Sequence, residues 1–430
     1  MLLLLIGTGL LLSVATKGVQ FVRFGFAIRE VLGKIFADNI GEGTVRPFHA
    51  LATSLASTVG VGNIAGVATA ISLGGPGALF WMLFSGVVGM ATKFSEITLA
   101  LRFRERDDQG IMRGGAMYIL AKNLNCRWLG VIFAALVALA AFGIGNMVQA
   151  NSVAIAAQNT FGSPSWLTGL VLCVVTALVV LGGLRRIVEV ASILVPAMCL
   201  LYLLGGITIL ALHINHIPAA IMLVIRSAFA GQSTVGGFVG VGITQSIRFG
   251  VARGLFSNEA GLGSAPIVHS SAVTDHPVRQ GCYGIFDVFI DTLVVGFVTG
   301  MVILTTGVWE SGSTGTALAY MAFQEGLPGE WGGLIVNIGL ILFAFSSIIG
   351  WAYYGETGAM YLLGTKVLLP YRLLWVGFVY LGATGSLQLI WNLADTMNGL
   401  MAFPNLLAIL GSLGILQKLT SNFFGRNRLT

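Results

Sequence analysis

Apolar residues in this chain come in long blocks, and nearly all of its charge is confined to the short stretches between them. A helix needs about 20 predominantly apolar residues to cross a bilayer. Eleven blocks meet or approach that length, at about 1–16, 47–72, 77–101, 128–160, 167–183, 187–211, 237–270, 281–307, 331–355, 373–385 and 389–416, numbered spans 1 to 11. The pattern predicts an all-α polytopic membrane protein. Between spans 1 and 2, Val19 to Phe36 reads as an amphipathic helix lying in the interface.

The loops alternate in charge. Basic residues follow span 1 (Lys17, Arg23, Arg29, Lys34, Arg46), span 3 (Arg102, Arg104, Arg106, Arg113, Lys122, Arg127), span 5 (Arg185, Arg186), span 7 (Arg279), span 9 (Lys366, Arg372) and span 11 (Lys418, Arg426, Arg428). The intervening loops hold one basic residue, Arg226, and one of them is purely acidic with Glu310, Glu325 and Glu330. Lys and Arg mark cytoplasmic loops, so the N-terminus is expected outside, the C-terminus in the cytoplasm, and the protein in the plasma membrane among lipid.

Composition agrees with the pattern. With 430 residues, 56% of them hydrophobic and 9% charged, the chain lies far from a soluble domain, in which about a quarter are charged. Cys126, Cys173, Cys199 and Cys282 have no paired spacing, so neither a disulfide framework nor a metal site is expected. Met1 to Ala15 is short for a span and lacks the basic start and cleavage site of a leader. No cofactor and no nucleic-acid partner are expected, and the oligomeric state is not legible.

Ser54 to Met82 is the stretch around which the rest is organised. Its centre, Ala56-Ser57-Thr58-Val59-Gly60-Val61-Gly62-Asn63, is polar and glycine-spaced inside an apolar span. A helix broken in hydrocarbon persists only where protein or a cavity satisfies the freed backbone. Gly60 and Gly62 permit a break through positive φ and close backbone approach. Freed N–H groups then suit a carboxylate, and freed carbonyls a small cation. Two other readings exist: Gly62 and Gly66 as a helix-packing pair, and Thr58 to Gly62 as a potassium-filter loop, a coincidental likeness because that loop needs a short pore helix, few spans and fourfold assembly whereas many further spans follow here.

A second interruption lies in span 7, where Gly254, Gly261 and Gly263 flank Phe256-Ser257-Asn258-Glu259. Its alternative is a span that ends near Gly250. Spans 2 and 7 are five apart, which predicts an inverted repeat of spans 2–6 and 7–11 plus one extra N-terminal span. The chain divides accordingly into an N-terminal segment 1–45, repeats 46–211 and 212–417, and a tail 418–430.

The stretches 60–67, 74–82 and 256–266, with Gly143 to Asn151 and Ile390 to Asp395, resemble the alanine or glycine:cation symporter family, over about Gly7 to Leu416. The chain departs from the family at Leu83, where a second Trp is usual. The resemblance implies a symporter of small neutral amino acids, alanine or glycine, coupled to sodium, with the fold of the bacterial leucine transporter, which also exemplifies half-helix binding. It implies that amides near Val61 and Gly62, with Thr58 and Gly60, receive the substrate. Carbonyls of Ala56 and Val59, with Thr58, Asn63 and hydroxyls of span 9, would hold sodium.

The residues themselves point to the same hydroxyls, because Ser346 and Ser347 form an adjacent pair in the middle of span 9. The competing fate is a hydrogen bond to their own helix. Gln149 and Asn151 of span 4 are buried amides that need partners, and the resemblance makes Gln149 a substrate contact. Trp351 and Phe256 are expected to limit pocket volume, and Ser257 belongs with them. Glu96 is expected to pair with Lys93 or Arg102, Glu189 with Arg185 or Arg186, and Asp395 within the bundle; Asp287 and Asp291 share a face of span 8 without a legible role. No hydrolase or metalloprotease motif is present, which disfavours an enzyme. A channel and a proton-coupled carrier are the rivals; span 2 contains no carboxylate, which favours sodium over protons.

Overall fold

In the computed structural model the chain is helical almost throughout; residues 1–35, 40–230, 242–385 and 388–426 are described, with backbone alone at 230, 388–395 and 426. Six of the described helices are long and apolar enough to cross a membrane: Gly77–Arg102, Arg127–Phe161, Gly183–Leu212, Pro277–Thr305, Trp331–Leu363 and Thr365–Thr384. These are spans 3, 4, 6, 8, 9 and 10. Two bent pairs, Pro47–Thr58 with Gly62–Gly74 at 52° and Thr396–Leu410 with Leu413–Gly425 at 61°, make up to eight. Leu2–Ala15 and Ser165–Val180 are apolar but short, and span 7 is divided into Ile243–Asn258 and Ala265–His269. Among the described residues the one regular β pairing is a hairpin of Glu105–Arg106 with Met112–Arg113.

Burial separates the spans into two groups. In their most apolar stretches, 72% of the residues of spans 3 and 8 and 67% of span 9 are buried, against 33% for spans 6 and 10. Polar groups on spans 3, 8 and 9 are therefore shielded from lipid.

Both predicted breaks exist, for different reasons. Span 2 starts on Pro47 at the first helical turn, where a missing N–H costs nothing. It stops at Thr58, since Val59 has ψ 87°, and restarts at Val61 through a π-helical turn, Gly62–Gly66. Neither Gly60 nor Gly62 has positive φ, so the expected conformational role is corrected. Space distinguishes the two instead: a Cβ on Gly60 would lie 2.6 Å from Ser347 Oγ and displace that hydroxyl, whereas one on Gly62 would meet Phe256 at an ordinary 3.6 Å. Span 7 continues past Gly250 to Asn258, which overturns the early-ending alternative. Positive φ occurs here, at Glu259 (56°), Gly261 (95°) and Gly263 (79°), before the helix resumes at Ala265.

Three expected stretches differ in detail. The interfacial segment folds as Val19–Val22 followed by Phe24–Gly33, and Phe36 lies outside the described residues. The loops after spans 6 and 8 carry helices of their own, Ile217–Ala230 and Gly315–Gly326. The second packs on span 9 and on the Gly62–Gly66 turn, and Thr314 at its start bonds Ser72 of span 2 at 2.8 Å. That loop thus sits over the break.

Candidate functional site

The two breaks face each other. The ring of Phe256 and the Cα of Ser257, both in span 7, lie 3.6 Å from a Cβ built on Gly62 in span 2. Span 9 closes a third side: Ser346 Oγ donates to the Ala56 carbonyl at 3.0 Å, and Ser347 Oγ to Ser57 at 3.4 Å. Each serine also reaches the Phe343 carbonyl of its own helix, at 2.8 and 3.1 Å, so the cross-span and own-helix readings hold together.

Span 4 supplies the fourth side through Gln149. Its Nε2 donates to the Ile144 carbonyl at 3.0 Å, inside the π-helical turn Ala141–Met147 of its own span. Its buried Oε1 has no hydrogen-bond partner among the described residues and points toward the break, 3.8 Å from a Cβ built on Gly60. An unsatisfied buried acceptor costs about 1–3 kcal/mol, so this oxygen is set for a donor that arrives from outside. Asn151 instead donates to the Gly385 carbonyl at 3.3 Å and serves as interhelical glue.

The cation residues inferred by resemblance do not form one set. Ala56, Ser346 and Ser347 meet at the span 2 to span 9 seam, and Val59 carries the break beside them. Thr58 faces the other way, with its hydroxyl 3.1 Å from the Ser54 carbonyl and 3.4 Å from Asp287. Asn63 belongs to a third neighbourhood. Its Oδ1 accepts from the Gly60 N–H at 3.0 Å, and its Nδ2 donates to the backbone and side chain of Asp291, both at 2.9 Å. The amides at Val61 and Gly62 begin the second half-helix, where the first N–H groups have no intrahelical acceptor.

Span 8 provides what the sequence left without a role. Asp291 is fully buried, accepts from Ser257 Oγ at 3.0 Å and Thr292 Oγ1 at 2.7 Å, and forms no ion pair among the described residues. The carboxylate and the two hydroxyls are oxygen donors of the kind hard cations take, and the Asn63 Nδ2 donates into the same group. Asp287, one turn earlier, accepts from Ser54 Oγ at 2.5 Å and pairs with Lys93 at 2.9 Å; Lys93 Nζ also donates to the Asn258 carbonyl at 2.9 Å. Their four-residue spacing on one helix was the available signal. Ser54, Asn63 and Lys93 come from the first half of the chain, and Ser257 and Thr292 from the second.

These contacts correct the expected ion pairs. Lys93 pairs with Asp287, and Glu96 accepts from the Gly261 amide and from Asn405. Glu189 is exposed and makes no ion pair with Arg185 or Arg186. Trp351, buried one turn beyond Ser347, donates its indole N–H to Glu259 at 3.0 Å. The Trp351 side chain packs so close to span 4 that a Cβ on Gly145 would fall 2.1 Å from the Trp351 Cβ. The motif Ile390 to Asp395 lies outside the described side chains, so the expected Asp395 pairing is not described.

Residues 1–429 match the family model described as the sodium:alanine symporter family. The chain is similar to the sodium/alanine symporter AgcS of Methanococcus maripaludis, 46% identical over 98% of this chain and 94% of that protein. It is also similar to the probable sodium/glutamine symporter GlnT of Bacillus subtilis, 38% identical over 85% of this chain and 76% of that one. Its backbone resembles that of a Na+-coupled sialic acid symporter in a substrate-bound outward-open state, with TM-score 0.59 and 15% identity over 94% of this chain and 86% of the other.

Proposed function

The chain belongs to the sodium:alanine symporter family, a family of membrane transporters and not of enzymes, and on that premise we propose that it imports small neutral amino acids together with sodium. The substrate is alanine or glycine, carried by alternating access across the plasma membrane. In this reading the chain has eleven spans, with spans 2–6 and 7–11 as inverted repeats, the N-terminus outside and the C-terminus in the cytoplasm. One observation carries it: broken spans 2 and 7 meet at Gly62 and Phe256, beside Gln149 Oε1, which has no partner among the described residues.

The substrate carboxylate lies against the Val61 and Gly62 amides, where the partial positive charge of a helix N-terminus favours an anion. Its ammonium group donates to Gln149 Oε1, which accepts no bond from the described protein. Phe256 and Trp351 bound the side chain. One sodium sits among the carbonyls of Ala56 and Val59 and the hydroxyls of Ser346 and Ser347, whose protons turn away on binding. Asp291, with the hydroxyls of Ser257 and Thr292, forms a second ion-binding group next to the carboxylate end, and Asn63 joins it only by turning its amide oxygen away from the Gly60 N–H. If sodium and substrate occupy one state, each raises the affinity of the other by the same factor. Equilibrium alanine binding to purified protein, titrated with sodium at constant ionic strength, tests this; affinity that ignores sodium defeats the coupling.

A proton-coupled reading draws on one observation. Span 2 lacks a carboxylate, yet Asp287 and Asp291 reach it from span 8, so the absence within span 2 does not separate sodium from protons. Alanine accumulation driven by a pH gradient without sodium would favour that alternative.

A further inference from the structure

A cavity of about 890 Å³ opens between the end of Leu2–Ala15 and the last helix, Leu413–Arg426, far from the breaks in chain position, and Lys17, Arg23 and Lys418 line it. We propose that it binds the headgroup of an anionic phospholipid from the leaflet that the basic loops face. The inference does not depend on which amino acid is carried.

Charge is the first argument. None of the three cations forms an ion pair among the described residues, and no Asp or Glu lines the cavity. Three like charges around one space repel each other unless an anion enters. Arg23 is held in place, its guanidinium carbon 4.5 Å from the Phe424 ring centre, so the planar group covers the ring and keeps its edge donors for a phosphate. Gln417 and Ser421 add neutral hydrogen-bonding groups.

Depth is the second argument. Lys17 (φ 58°) and Gly18 (φ 66°) turn the chain sharply where the apolar block of span 1 ends, which sets the Lys17 side chain at the level where hydrocarbon gives way to headgroups. The turn leads directly into Val19–Val22, on which Phe21 and Val22 are 67% and 68% exposed. Two bare apolar side chains beside three unpaired cations suit a molecule with an acyl chain and an anionic head. A soluble anion would use the cations alone. Basic pockets between helices at the cytoplasmic face are a recurrent place for such headgroups.

The test uses the full chain in detergent, with phosphatidylglycerol, phosphatidylcholine and glycerol 3-phosphate as probes and native mass spectrometry as the readout. Wild type should retain phosphatidylglycerol in preference to phosphatidylcholine. The triple variant K17Q/R23Q/K418Q should lose phosphatidylglycerol affinity on the order of a hundredfold, with phosphatidylcholine unchanged. Unchanged phosphatidylglycerol binding in the variant overturns the proposal. Glycerol 3-phosphate binding as tightly as the lipid overturns it too, in favour of a soluble anion. Should the triple variant fail to fold, a photoreactive phosphatidylglycerol on wild type decides: labelling within 15–23 and 417–425 supports the site, and labelling confined to other segments refutes it.

Discussion

Trp351 donates its indole N–H to Glu259 at 3.0 Å, and this bond joins the aromatic wall on span 9 to the left-handed residue at which span 7 breaks. Substrate size and the geometry of the second break are thereby linked. Trp351→Phe removes the bond while keeping an aromatic wall, and it leaves a buried carboxyl oxygen without that partner, which costs about 1–3 kcal/mol. Thermal unfolding should show that loss, with a modest change in the competitor ranking. Trp351→Ala should admit larger neutral amino acids as competitors while weakening alanine. An unaltered ranking in folded Trp351→Ala would return this residue to packing.

Lys93 and Asp287 are both fully buried, so each is tolerable only with the other. Removing one partner of such a pair costs about 3–5 kcal/mol, whereas replacing both is far milder. Lys93→Met and Asp287→Asn should each lower the unfolding temperature strongly, and the double variant should recover most of the loss. Additive losses in the double variant would show that the pair is not the unit. Because Lys93 also holds the Asn258 carbonyl, the double variant should still transport poorly.

Gly60 and Gly62 should respond differently to the same substitution. Gly60→Ala sets a methyl 2.6 Å from Ser347 Oγ and forces that hydroxyl away from the Ser57 carbonyl; Gly62→Ala meets its neighbours at 3.6 Å. Sodium half-saturation of uptake should rise on the order of tenfold in Gly60→Ala, the equivalent of about 1.4 kcal/mol. Gly62→Ala should fold normally. Equal sodium dependence in the two variants would contradict the seam assigned to span 9.

Ser346→Ala and Ser347→Ala each remove one neutral oxygen from that seam. Each should raise the sodium concentration for half-maximal uptake with little change in the amount of folded protein. Were both variants to keep the wild-type sodium dependence, the serines would belong to helix packing through Phe343.

Much of this arrangement was legible along the chain, because glycine and polar residues inside an apolar block have few physical uses. Both breaks follow from that pattern, and it also marks Ser346, Ser347 and Gln149 as polar groups inside their spans. The constraint on Gly60 was not legible, since close approach by Ser347 is a property of the folded neighbours and leaves no local mark. Asp291 was harder still: its partners Asn63 and Ser257 are 228 and 34 residues away, so no spacing joins them. The same holds for Lys93, whose nearest carboxylate along the chain, Glu96, turned out to serve Gly261 and Asn405. Span 1 is short as expected, and the helix over the break, Gly315–Gly326, is only 12 residues long, too short to stand out as a span within a loop that carries Glu310, Glu325 and Glu330.

The most direct test is radiolabelled alanine uptake into proteoliposomes at one fixed pH, with an inward sodium gradient or with choline in its place. The account predicts accumulation above equilibrium under sodium, its collapse when the gradient is dissipated, and near-background uptake under choline. Equal uptake under sodium and choline would contradict it.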